Sequence, residues 1–155
     1  MESFYDKNGG AWDLELTIGM AMKLKSRLNF DIENLVSLKK DGKSTIENLV
    51  NDTELLFNVV YVMCEKQCIE RGISQEEFAG KFDRVSIESA TDSLLKEFVN
   101  FSPPVKKRIL RELLKISEEA KKKIETELDR ILAGNEMKQF KESALNNLLK
   151  STPEQ

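Results

Sequence analysis

Two cysteines, Cys64 and Cys68, are the residues whose type and spacing come closest to a reagent. They stand four residues apart in the stretch Thr53–Arg71, TELLFNVVYVMCEKQCIER, and would share one face of a helix. Two thiolates fall short of the four ligands a structural zinc ion takes, and the chain has no histidine to complete the set. A redox role would need surroundings that lower a thiol pKa, and Val59, Val60, Val62 and Met63 offer the reverse. Two ordinary buried cysteines are expected. General acid–base work without histidine falls to carboxylates, lysine or tyrosine. Here the acidic residues are scattered over capping and surface positions. No glycine-rich phosphate loop is present, and Gly9-Gly10 reads as a turn. The expectation is a protein that is not an enzyme and takes no metal or cofactor.

The cysteine-bearing stretch is also the one around which the chain is organised. From Leu55 to Cys64 only Asn58 is polar, so the helix must be covered on all sides. Three β-branched valines would also suit a strand, but the flanks favour a helix. Asp52 or Thr53 can cap its start, Glu54 suits the first turn, and Gly72 suits the C′ position. The apolar run is shorter than the roughly 20 residues that cross a bilayer. A buried central helix in a mainly α domain is predicted.

Composition agrees. The 155 residues are enough for one domain, with or without an appendage, and 40% hydrophobic residues can build its core. A third of the residues are charged, yet the net charge is only −3, so no global attraction to nucleic acid or anionic lipid follows. Met1–Gly10 is polar and lacks the apolar centre of a signal peptide. Cytoplasmic residence is expected, and two cysteines do not make a disulfide framework.

At the start, Phe4–Tyr5 and Ala11–Leu16 flank DKNGG, whose Asn-Gly-Gly favours a tight reversal. Trp12, Leu14 and Leu16 alternate with Asp13 and Glu15, the period of a half-buried strand. A short hairpin should therefore lead into a helix capped by Thr17, with Ile18, Ala21, Leu24 and Leu28 inward. Two short helices are expected at Ile32–Val36 and Ile46–Val50, the second opened by a Ser44/Glu47 capping box. Ser74 and Glu77 signal another helix, ending near Phe82. Ser86 should begin the next, and Ser102-Pro103-Pro104 should halt it and start another, with Ser102 as cap and proline at the first helical position.

Beyond Pro104 the composition shifts. Lys106, Lys107, Arg108, Arg111, Lys115 and Lys121–Lys123 could touch phosphates. No aromatic residue is interleaved with them, and Glu112, Glu118 and Glu119 dilute the charge, so a solvated face is the better reading. Apolar residues return after the polar stretch SEEAKKK, and Gly134-Asn135 suggests a helix end. The expected organisation is a helical domain over 1–116, a charged extension or αα-hairpin over 117–150, and a frayed tail over 151–155. Ile124, Leu128, Ile131, Leu132, Phe140, Leu145 and Leu149 are the candidate partner-binding residues, since an exposed apolar helix face marks an interaction surface. The same face could pair with a second copy or fold back on the domain.

Three stretches carry a family resemblance. They are Trp12-Asp13-Leu14-Glu15-Leu16-Thr17-Ile18-Gly19, Leu55–Cys64 with Gln67, and Arg71-Gly72-Ile73-Ser74-Gln75-Glu76-Glu77-Phe78. Over about residues 12–114 the chain resembles the small tail assembly chaperones of long-tailed phages, prophages and related tail-like particles. The resemblance implies a non-enzymatic cytoplasmic role: holding the tape-measure protein, or another tail protein, in solution during assembly. It implies no membrane partner. A tail adaptor that stays in the particle is the alternative within the same setting, and a helical nucleic-acid-binding regulator is the alternative outside it.

Overall fold

The computed structural model describes residues 1–150, and for residues 135–137 and 148–150 the backbone alone. The expected frayed tail at 151–155 lies outside the described residues. The protein is mainly helical, with a two-stranded antiparallel hairpin at the start. Strands β1 (Glu2–Tyr5) and β2 (Ala11–Leu14) pair with Phe4 opposite Trp12. Six helices follow: α1 (Ile18–Leu28), α2 (Thr45–Asn51), α3 (Thr53–Glu70), α4 (Gln75–Ala79), α5 (Arg84–Phe101) and α6 (Pro104–Lys150). The chain divides into two compact units, Met1–Leu110 and Arg111–Gln155.

Helix α3 is the axis of the first unit, packed against α1, α2, α4, α5 and β2. Leu56, Val59, Val60, Val62, Met63, Cys64 and Cys68 are all buried, which explains why no single apolar stripe appears in its sequence. Asp52 caps its first turn by accepting from the Leu55 N–H. At the other end Gly72 adopts φ 66°, and the Ile73 and Gly72 N–H groups bond back to the Cys68 and Ile69 carbonyls. This is the Schellman closure that a glycine permits.

The hairpin lies between α3 and α5, and side chains hold both of its edges. On the β2 side the Gln67 amide meets both backbone groups of Asp13, accepting at 3.0 Å and donating at 2.8 Å. Arg71 donates to the Ala11 carbonyl at 2.7 Å and lays its guanidinium 4.0 Å from the Trp12 ring centre. Ser93 on α5 donates to the Ser3 carbonyl. Glu97, only 5% exposed, accepts from the Glu2 and Leu16 N–H groups at 3.1 and 3.0 Å. Under the hairpin, Trp12 meets Phe78 edge-on at 4.7 Å, and Phe78 meets Phe82 at 5.0 Å.

Several boundaries differ from the sequence expectation, each for a local reason. Ile18 was expected inward but is 73% exposed. At 100° per residue it lies about 120° around α1 from the buried Leu24. Instead of a helix, Ile32–Asn34 form one 3₁₀ turn, because the Asp31 carboxylate binds the Glu33 N–H and the Asn34 amide. Helix α4 ends at Ala79 rather than near Phe82. Helix α5 begins at Arg84, not Ser86, since Asp83 is the cap and Ser86 returns the bond to its N–H. Ser102 closes α5, donating through Oγ to the Phe98 carbonyl, rather than opening α6.

Inside the hairpin loop the buried Asp6 carboxylate accepts from the Trp12 indole at 2.8 Å and from the Gly10 and Asn8 N–H groups. A Cβ on Gly10 would sit 2.7 Å from Asp6 Oδ2, so the loop admits no side chain there. Burial works to raise the Asp6 pKa, but these donors and the nearby Lys81 outweigh it and hold the group below the ordinary carboxylate range.

Two predictions follow from this packing. Met63→Ala and Val60→Ala should each cost about 2–4 kcal/mol in urea denaturation. Variants that match the parent would remove α3 from the core. For Asp6, the folded pKa lies below the unfolded one, so its stabilisation is complete above about pH 4 and is lost as pH falls through the folded value. Asp6→Asn should flatten the dependence of unfolding free energy on pH between about 5 and 2, and an unchanged slope would show the carboxylate to be idle.

Candidate functional site

Helix α6 is one continuous helix of 47 residues, Pro104–Lys150. No αα-hairpin forms, and Gly134 does not end the helix. A single glycine inside a helix costs about 1 kcal/mol relative to alanine. The neighbouring Arg130, Ile131, Leu132 and Ala133 are adequate formers, so the helix runs through.

Continuity changes the reading of the polar stretch. Counted along one helix, Leu113, Ile116, Ala120, Ile124, Leu128 and Ile131 recur every three or four residues. They fall within an arc of about 120° that also holds Ser117 and Glu127, and Ala120 carries the stripe across SEEAKKK. Sequence reasoning carries the helix through SEEAKKK, as the structure does, but misses this bridge because it takes the stretch as almost entirely polar. The signal was there in the three- and four-residue steps.

Of the expected partner-binding residues, Ile124 is 59% exposed, Leu128 49%, Phe140 72%, and Ile131, Leu132 and Leu145 are about half exposed. The side chain of Leu149 lies outside the described residues. Ile124, Leu128 and Ile131 share the stripe. Leu132 sits on its flank, and Phe140 points about 180° away from it, so the site residues do not form one face.

Of the basic residues, Arg108, Arg111, Lys115 and Lys122 fall within about 60° of one another, with Glu118 and Asp129 on the same side. Lys106 is drawn to Glu33, donating to its carbonyl at 2.8 Å and approaching its carboxylate at 3.7 Å. Glu112, Glu118 and Glu119 are exposed on the same helix as Arg111, Lys115 and Lys121–Lys123. Charge of both signs therefore runs along this helix.

Cys64 and Cys68 are both buried, and Cys64 lies 3.8 Å from the Asp13 carbonyl. Burial raises both thiol pKa values, and the nearby Arg71 offsets only part of this. Neither sulfur is a nucleophile at neutral pH. A cleft of about 420 Å³ beside the end of α1 is lined by Asn29, Lys39, Lys43, Thr45, Asn48 and Asp52 among others. Among the described residues no group of three or more Asp, Glu, Cys or His side chains could hold a metal ion, and no helix is long and apolar enough to cross a membrane.

No protein-family model, curated protein or solved structure matches this chain.

In the native protein, Cys64 and Cys68 should resist alkylation at neutral pH and react only on unfolding. Mass spectrometry after iodoacetamide treatment checks this, and rapid native labelling of Cys64 would mean that the core around α3 opens.

Proposed function

We propose that the protein is a non-enzymatic assembly chaperone of a phage tail or phage-derived tail-like particle. It acts in the host cytoplasm and keeps the tape-measure protein soluble until tail-tube subunits enclose it. The observation that carries this reading is the exposed apolar residues of α6, set among alternating charges on a helix of 47 residues. A long tape-measure protein is rich in amphipathic helices, and an apolar helix face can cover such segments while the flanking charges keep the complex hydrated. The resemblance over residues 12–114 supplies the biological setting, and the α6 surface supplies a means of binding.

Co-expression with a tape-measure protein tests the reading. The client should become soluble and co-purify with the full chain, and Phe140→Asp with Leu145→Asp should weaken the association without lowering the melting temperature of the hairpin-bearing unit. A client that stays insoluble and unbound would refute it.

A further inference from the structure

We propose that two copies of this chain pair through α6, antiparallel, with Ala120 of each copy at the crossing point. This inference concerns self-association and does not rest on the client reading.

The stripe is nearly the same read in either direction. Ile116 and Ile124 stand four residues either side of Ala120, and Leu113 and Leu128 stand seven and eight residues from it. All five are exposed. When two such helices run in opposite directions, Ala120 faces Ala120, each Ile116 faces an Ile124, and each Leu113 comes level with Glu127 and within one residue of Leu128. The small side chain at the centre lets the backbones approach closely, and the larger ones interdigitate on both sides. A two-fold axis through the crossing makes the contact self-complementary, as a closed dimer requires.

The charges come close to the same symmetry, reversing about Lys121, one residue on. Glu112, Glu119, Lys123 and Arg130 lie along one flank of the stripe, each within about 100° of Ala120 on the same side. Reversal places Glu112 opposite Arg130 and Glu119 opposite Lys123. A parallel pair would put this flank on opposite edges of the contact and lose the match. A foreign partner would have no reason to match apolar and charged patterns that reverse about centres only one residue apart. The occupant best fitted to this face is the same helix, inverted.

Sedimentation equilibrium of the full chain should give twice the monomer mass of 17.8 kDa at micromolar concentration. Glu112→Arg should weaken the dimer roughly tenfold, since the contact occurs twice, and adding Arg130→Glu should restore it. Within one helix these two residues are about 27 Å apart, so rescue reports a contact between copies. Ala120→Cys, in a background carrying Cys64→Ala and Cys68→Ala, should form an intermolecular disulfide under mild oxidation. A mixture of Ile116→Cys and Ile124→Cys chains should cross-link as the heterologous pair. A monomer at tens of micromolar, charge reversal without rescue, or cross-linking of Ile116→Cys to itself would overturn the proposal. Client solubilisation is a separate readout, so a monomeric chaperone and a dimer without a client are distinguishable.

Discussion

A two-stranded hairpin has two open edges, and its own pairing is too small to hold it in water. Here side chains close both edges. Gln67 and Arg71 from the end of α3 occupy backbone groups of β2, while Ser93 and Glu97 from α5 occupy groups at β1 and Leu16. These bonds give the backbone partners it would otherwise lack when buried. They also fix the hairpin's register against the two longest helices of the first unit. The aromatic packing of Trp12 on Phe78 depends on that register, because a slip of one residue would turn Trp12 outward. An edge so occupied is also a poor template for strand addition by another chain.

The parts of this design that follow a period were legible in the sequence. The alternation of Trp12, Leu14 and Leu16 identified the buried face of β2, and the unbroken apolar run from Leu55 identified α3 as the axis. The parts that depend on distant partners were not. Nothing local marks Glu97 as buried: on the α5 period it is one more carboxylate, and only the arrival of Glu2 and Leu16, 95 and 81 residues away, gives it a reason to be inside. Gln67 and Arg71 are hidden in the same way. Capping signals fared unevenly because adjacent residues compete for the role. Asp83 displaced Ser86 as the cap of α5, and Ser102 was claimed by the helix it ends rather than the one it precedes.

The C-terminal helix shows where a local signal loses. Gly134-Asn135 has the composition of a helix end, but a stop needs the chain to gain something by turning, such as an apolar contact beyond the cap. If no such contact forms, one glycine is a small cost against propagation on both sides. Once the helix is continuous, exposed positions that looked like two surfaces become one line through Ile116 and Ala120. The candidate site was thus half legible: its residues could be named, but not the geometry that relates them.

That geometry also limits how long any contact along the stripe can be. From Leu113 to Ile131 the apolar positions advance eighteen residues in five steps, an average of 3.6, which is the period of a straight helix. A strict seven-residue repeat would wind two helices around each other over many turns. A 3.6 repeat keeps its face on one side of a straight rod, so two such rods touch over a limited stretch and then diverge. Lys138 and Glu142 interrupt the stripe, and Leu145 returns to it about 21 Å beyond Ile131. A short crossing centred on a small residue is what this pattern can support, and a long coiled coil is what it cannot. Leu132, Phe140 and Leu145 lie beyond or to one side of that crossing, so a single helix carries enough exposed apolar surface for pairing and for a second partner.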